Sequence, residues 1–135
     1  MGTYFNPNNE SFRKDKKSEI YIDKTGLLEF LNKRIGANNN CISVSHARRF
    51  GKSHAAGMID AYYSLGSDSE ELFADTEIAT KDGSKEHLNK YNVIHLDISS
   101  VFDFHKEDLI EEIHRRISKE MKEIYGNKLD YDNDL

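Results

Sequence analysis

The chain has 135 residues, 37% of them hydrophobic and 32% charged, with a net charge of −5 and a single cysteine, Cys41. That length suits one ordinary domain, and the acidic balance argues against a general nucleic-acid coat, whose phosphate-facing surface is basic. One cysteine excludes an intrachain disulfide and any Cys-only metal site, and it fits a reducing compartment.

The first residues, Met1 to Phe5, lack the basic start and apolar core of a signal peptide. No apolar run reaches the ~20 residues of a membrane span, so a cytoplasmic chain with no membrane partner is expected. Residues 1–19 are polar and rich in Asn, and read mostly as loop. Leu27, Leu28, Phe30 and Leu31 then recur at helical spacing, with Asp23 or Thr25 placed to cap the helix. The run from Gly36 to Asn40 reads as a stop and a turn. Cys41 to Ser45 reads as a short strand. Residues 53–65 read as a helix with a broad apolar face, broken at Gly66, and a short helical turn is expected within 70–79. Val93 to Ile98 is the best strand pattern in the chain. From about Lys106 to Tyr125 the residues Leu109, Ile110, Ile113, Ile117, Met121 and Ile124 mark an amphipathic helix, ended by Gly126 and Asn127. The polar residues from Lys128 to Leu135 read as the start of a linker. The order of elements predicts an α/β fold with a right-handed crossover between parallel strands.

The chemistry concentrates in "SHARRFGKS", Ser45 to Ser53. A phosphate loop needs converging backbone N–H groups, a lysine for the outer phosphates and a hydroxyl for Mg²⁺, at the start of a helix whose dipole favours anions. Gly51, Lys52 and Ser53 supply that ending between a predicted strand and a predicted helix. His46 stands where the first glycine is usual. A surface turn with a basic face is the competing reading.

The stretches "YIDKTGLLEFL", "CISVSHARRFGKSHAAGMIDAYY" and "HLNKYNVIHLDIS" together resemble the N-terminal part of the AAA-ATPase-like family of bacterial and archaeal proteins, in the P-loop NTPase superfamily. Phe5-Asn6-Pro7 and Phe12-Arg13 match its opening. The resemblance runs from about residue 4 to the end, and it implies a P-loop NTPase-like parallel sheet with flanking helices, incomplete in this chain. It implies ATP and Mg²⁺ as ligands, with His46, Ala47, Arg48, Arg49, Phe50, Gly51, Lys52 and Ser53 forming the phosphate loop. Lys52 would contact the β- and γ-phosphates and Ser53 would ligate Mg²⁺. Arg48 and Arg49 would add charge that suits phosphate. Asp23 and Lys24 fall in the box ahead of the loop that lies near the adenine in related ATPases, with a helix cap as the other reading of Asp23.

The family's acidic strand, of the type Leu-Ile-Asp-Glu-Tyr-Asp, has no counterpart here. Asp97 ends the Val93 strand pattern but matches an earlier strand of the family, and Ile98 follows it where an acid would be needed. No catalytic residue is therefore assigned. The expectation is that residues 1–135 are a fragment of a P-loop domain, cut before the acidic strand. Its partners would be a nucleotide, the remainder of the ATPase domain and the C-terminal nuclease-like domain of full-length relatives. The alternative is a non-catalytic interaction module that contacts phosphate or nucleic acid through Arg48 and Arg49. The six histidines show no zinc spacing.

Overall fold

A computed structural model of the chain describes residues 2–45, 51–102 and 108–126. These residues form helices α1 (Glu10–Lys16), α2 (Gly26–Asn32), α3 (Lys52–Tyr63), α4 (Glu70–Phe73), α5 (Ser84–His87), α6 (Ile98–Phe102) and α7 (Leu109–Tyr125), with a 3₁₀ turn at Glu77–Thr80. The expected parallel sheet is corrected: among the described residues there is no β-strand, only two isolated bridges.

The reason is a shortage of neighbours. Ile94 bridges Phe5 in antiparallel sense, and the flanking bonds run from Asn6 N to the Val93 carbonyl (2.8 Å) and from His95 N to the Tyr4 carbonyl (2.9 Å). Past His95 the chain leaves the extended path. Asp97 Oδ1 accepts from the Ser99 N–H (3.1 Å) and the Ser99 hydroxyl (2.6 Å), which starts α6. Ile98, predicted to end a strand, is the first residue of that helix. The other bridge joins Ser64 and Tyr91 in parallel sense. Residues 41–45, the other predicted strand, are exposed and in no bridge. Ladders need consecutive pairs, and neither apolar run finds them.

The core lies between α1, α2, α3, α4 and the 3₁₀ turn. It comprises Phe12, Leu28, Met58, Ala61, Tyr62, Tyr63, Phe73 and Ile78. Phe12 stacks on Phe73 with ring centroids 4.8 Å apart, and Tyr62 meets Phe73 edge-on at 5.2 Å. The sequence of α1, one aromatic, Phe12, among polar neighbours, predicts loop. That side chain is 2% exposed, so tertiary packing holds the helix where propensity does not. α1 lies close on α3 because position 57 is glycine: a Cβ there would sit 2.9 Å from Ser11 Oγ.

α7 is fastened to the amino end of the chain by its acids. Glu120 accepts from the Tyr4 N–H (2.9 Å) and the Phe5 N–H (3.1 Å). Arg116 donates to Glu112 (2.6 Å) and to the Tyr4 hydroxyl (3.3 Å). No helix among the described residues is long and apolar enough to cross a membrane.

Candidate functional site

The site is built at the amino end of α3. Gly51 precedes the helix with φ +81° and ψ 27°, a left-handed conformation that a side chain strains. Its carbonyl accepts the first helical bond, from Ala55 N at 2.9 Å. The opening turn of any helix leaves N–H groups without an intrahelical acceptor, and the macrodipole adds positive potential there. α3 has no acidic residue in that turn; Lys52 and Ser53 occupy its first two positions, both exposed.

Lys24 arrives from the other side. A Cβ at Gly51 would lie 2.5 Å from Lys24 Nζ, so the ammonium group sits against the glycine. The structure thus brings together Lys24, Gly51, Lys52 and Ser53. A helix amino end with lysine side chains beside it favours an anion. His46, Ala47, Arg48, Arg49 and Phe50 lie outside the described residues.

Asp23 points elsewhere. Its Oδ1 accepts from the Thr25 hydroxyl (2.6 Å) and the Thr25 N–H (2.8 Å), and its Oδ2 accepts from the Glu77 N–H (2.7 Å). Burial works to raise its pKa, but the Thr25 hydroxyl and these N–H donors outweigh it and hold the carboxyl below its usual range. Buried Thr25 continues the chain of bonds by accepting from Ile78 N at 3.1 Å. Asp23 therefore pins the start of α2 to the 3₁₀ turn, which in turn fixes where the next residue, Lys24, leaves the backbone. Asp97 is engaged in starting α6, and its Ser99 hydroxyl bond is the first cause of its lowered pKa.

A cavity of about 350 Å³ opens beside this helix end. Phe12 and Asp15 of α1, Tyr21 and Ile22 of the following segment, and Ala55 and Met58 of α3 line it, with Lys24 and His54 also on its wall. His54 Nδ1 lies 2.8 Å from Asp15 Oδ2. Burial, then the charges of Asp23, Asp75 and Asp15, push the Tyr21 phenol up to about 12, so its hydroxyl stays protonated at neutral pH. Sequence reasoning missed these walls. A weak signal was present in Phe12 and Asp15, three residues apart and so on one face if the polar stretch is helical.

Two turns beyond Ser53 on the same helix, Asp60 pairs with His95 at 2.5 Å. Burial raises the Asp60 carboxyl against the opposing pull of His95. This contact ties α3 to the extended segment before α6.

The family model described as Predicted AAA-ATPase (AAA-ATPase_like) matches residues 9–133. No curated protein and no solved structure matches the sequence.

Proposed function

The chain belongs to the AAA-ATPase-like family, and from that premise we propose that it binds ATP with Mg²⁺ at the amino end of α3. The observation that carries this reading is the meeting of Lys24 Nζ with the left-handed Gly51 that opens α3. Lys52 and Lys24 would hold the outer phosphates, and the N–H groups of the first turn would donate to the phosphate oxygens. The loop residues His46 to Phe50 would complete the cradle, with Arg48 and Arg49 adding guanidinium groups. The donor set suits the metal as well, since the Ser53 hydroxyl is a hard oxygen ligand beside a phosphate site. Bound there, Mg²⁺ would neutralise phosphate charge. Asp97 is given no part in hydrolysis, because its carboxylate is engaged by the Ser99 hydroxyl and N–H. Binding with little turnover is the activity proposed for this chain alone. A cytoplasmic setting supplies both ligands. In longer members of the family the remainder of the ATPase domain and a nuclease-like domain would be its partners.

The test is calorimetric titration of the chain with MgATP, with Lys52→Ala alongside and helix content checked by circular dichroism. Saturable binding that disappears in a folded Lys52→Ala variant supports the site. Equal binding by both proteins overturns it.

A further inference from the structure

Asp60 places a carboxylate where α3 is buried. It is 7% exposed and is followed in the helix by the buried Ala61 and Tyr62. An ionised carboxylate shut away from water needs a counter-charge or a proton. Its partner is His95, whose Nδ1 lies 2.5 Å from Asp60 Oδ2. The His95 side chain is 37% exposed, so the imidazole exchanges protons with solvent while the carboxylate does not meet it.

His95 also belongs to a second set of contacts. Its N–H donates to the Tyr4 carbonyl at 2.9 Å, and the Asn6 N–H donates to the Val93 carbonyl at 2.8 Å. The Asn6 side chain donates to Asn92 Oδ1 (3.0 Å) and accepts from the Val93 N–H (2.8 Å). α7 grips the same amino segment, Glu120 through the Tyr4 and Phe5 N–H groups and Arg116 through the Tyr4 hydroxyl. Residues 4–6, residues 92–95 and α7 are thereby tied to one another, and the Asp60–His95 pair joins them by charge to α3.

The charge of that pair depends on one proton. Imidazole is the side chain that ordinarily titrates between pH 5 and 8. The charged groups around His95 are Asp60 on α3, Asp97 on its own segment, and, beyond Tyr4, the α7 residues Glu120, Arg116 and Glu112, of which the last two pair with each other. An imidazolium compensates the Asp60 carboxylate. A neutral ring leaves that buried charge with a hydrogen bond alone. A cationic histidine that meets a carboxylate only in the folded chain contributes stability below its unfolded value of about 6.5, and this is lost as pH rises. Burial raises the Asp60 carboxyl, and a raised acid works in the same direction, since it also favours the folded chain at lower pH.

We propose that Asp60 and His95 form a proton-operated latch, closed while the pair holds the imidazole's proton and opening as pH rises through the range in which imidazole titrates, so that residues 4–6 and α7 loosen from α3. Neither residue belongs to the proposed nucleotide site, and the latch does not rest on it.

The experiment is amide hydrogen exchange on the full chain at about pH 6 and about pH 8.5, on either side of the imidazole range, corrected for the intrinsic rate at each pH. It reads Asn6 and position 95 in the latched segments, and Asn89 and Tyr91, whose N–H groups bond the Tyr62 and Tyr63 carbonyls, as controls. Protection at Asn6 and position 95 should fall about five- to tenfold at the higher pH, the scale of a charge-assisted bond that loses one of its charges, with the controls unchanged. His95→Asn keeps a side-chain donor near the Nδ1 position that does not titrate, and should abolish the difference; circular dichroism confirms that it folds. Constant protection in the unmodified chain, or an equal fall in His95→Asn, overturns the latch. Nuclear magnetic resonance of the unmodified chain supplies a check that needs no variant. The His95 ring and the Asn6 amide should titrate together, and an Asn6 amide that moves with a different midpoint, or not at all, overturns the proposal as well.

Discussion

The Asn89 side-chain amide donates to the carbonyl oxygens of Ala61 and Ser64, each at 3.0 Å, and so closes the carboxyl end of α3. Its Oδ1 accepts from Ser69 N at 3.1 Å, and its own N–H donates to the Tyr62 carbonyl at 2.6 Å. Asn89 takes φ +54°, a conformation that Asn tolerates better than most residues. One side chain thereby satisfies carbonyls that a helix end would otherwise leave open, next to the buried Tyr62 and Tyr63. Asn89→Ala loses all of the side-chain bonds and keeps the strained φ. A loss of about 2–3 kcal/mol is expected, read as a lower urea midpoint at unchanged slope. Asn89→Gly relieves the backbone but not the orphaned carbonyls, and should fall between the two.

Thr25 and Asp23 give a pH signature. Thr25→Val keeps the side-chain shape but leaves the buried Ile78 N–H without its acceptor, at a cost of about 1–3 kcal/mol. The Asp23 carboxyl titrates below its unfolded value in the folded chain. A depressed acid contributes stability that is present above the unfolded pKa of about 3.9 and is lost as pH falls through the folded value. Unfolding midpoints of the unmodified chain should therefore drop on acidification below that range. Asp23→Asn should be less stable at neutral pH and show a shallower acid limb. A variant with the same acid limb as the parent would show that the drop comes from other carboxyls.

The helices α2, α3 and α7 were legible because apolar residues three and four apart mark them directly. α1 was not, because its sequence is polar and its one anchor, Phe12, acts through Phe73 of α4. The strands failed for a different reason. An apolar run states that a segment can pair, and says nothing of whether a neighbour exists; Ile94 found only the short Tyr4–Asn6 stretch. α7 shows a subtler limit. Its apolar stripe is real, yet Glu112 and Glu120 are its buried residues, while Ile110 is 83% exposed. At the site, Gly51, Lys52 and Ser53 opening a helix could be read from spacing. The reach of Lys24 to Gly51 could not, since it depends on how Asp23 and Thr25 lock the start of α2 onto the 3₁₀ turn. The cavity walls come from three segments that only the folded chain assembles.

Gly51 links stability and binding. Gly51→Ala places a methyl group where Lys24 Nζ sits and forces it into a left-handed backbone. Ammonium groups can swing aside, so the fold should survive with a loss of about 1 kcal/mol. Nucleotide binding should suffer more, because the displaced lysine and the altered helix start act on the same phosphates. Calorimetry showing full ATP affinity in a destabilised Gly51→Ala chain would separate the glycine from the binding site.

Glu120 provides the last prediction, on the amino-terminal segment. Glu120 is 9% exposed, and its carboxylate accepts from the N–H groups of Tyr4 and of Phe5, the bridge partner of Ile94. Glu120→Ala strips both N–H groups of their acceptor and cuts one of the ties between α7 and the chain start. The buried pair makes this costly, about 1–3 kcal/mol. Glu120→Gln retains one acceptor oxygen at the same reach and should recover part of that loss. Hydrogen exchange is the sharper readout, because it reports the two amides individually. Tyr4 and Phe5 should exchange much faster in Glu120→Ala, together with His95, whose N–H bonds the Tyr4 carbonyl. Faster exchange at Tyr4 and Phe5 alone would mean that the bridge to Ile94 holds without the glutamate. Unchanged exchange at all three would remove Glu120 from the account of how α7 is docked.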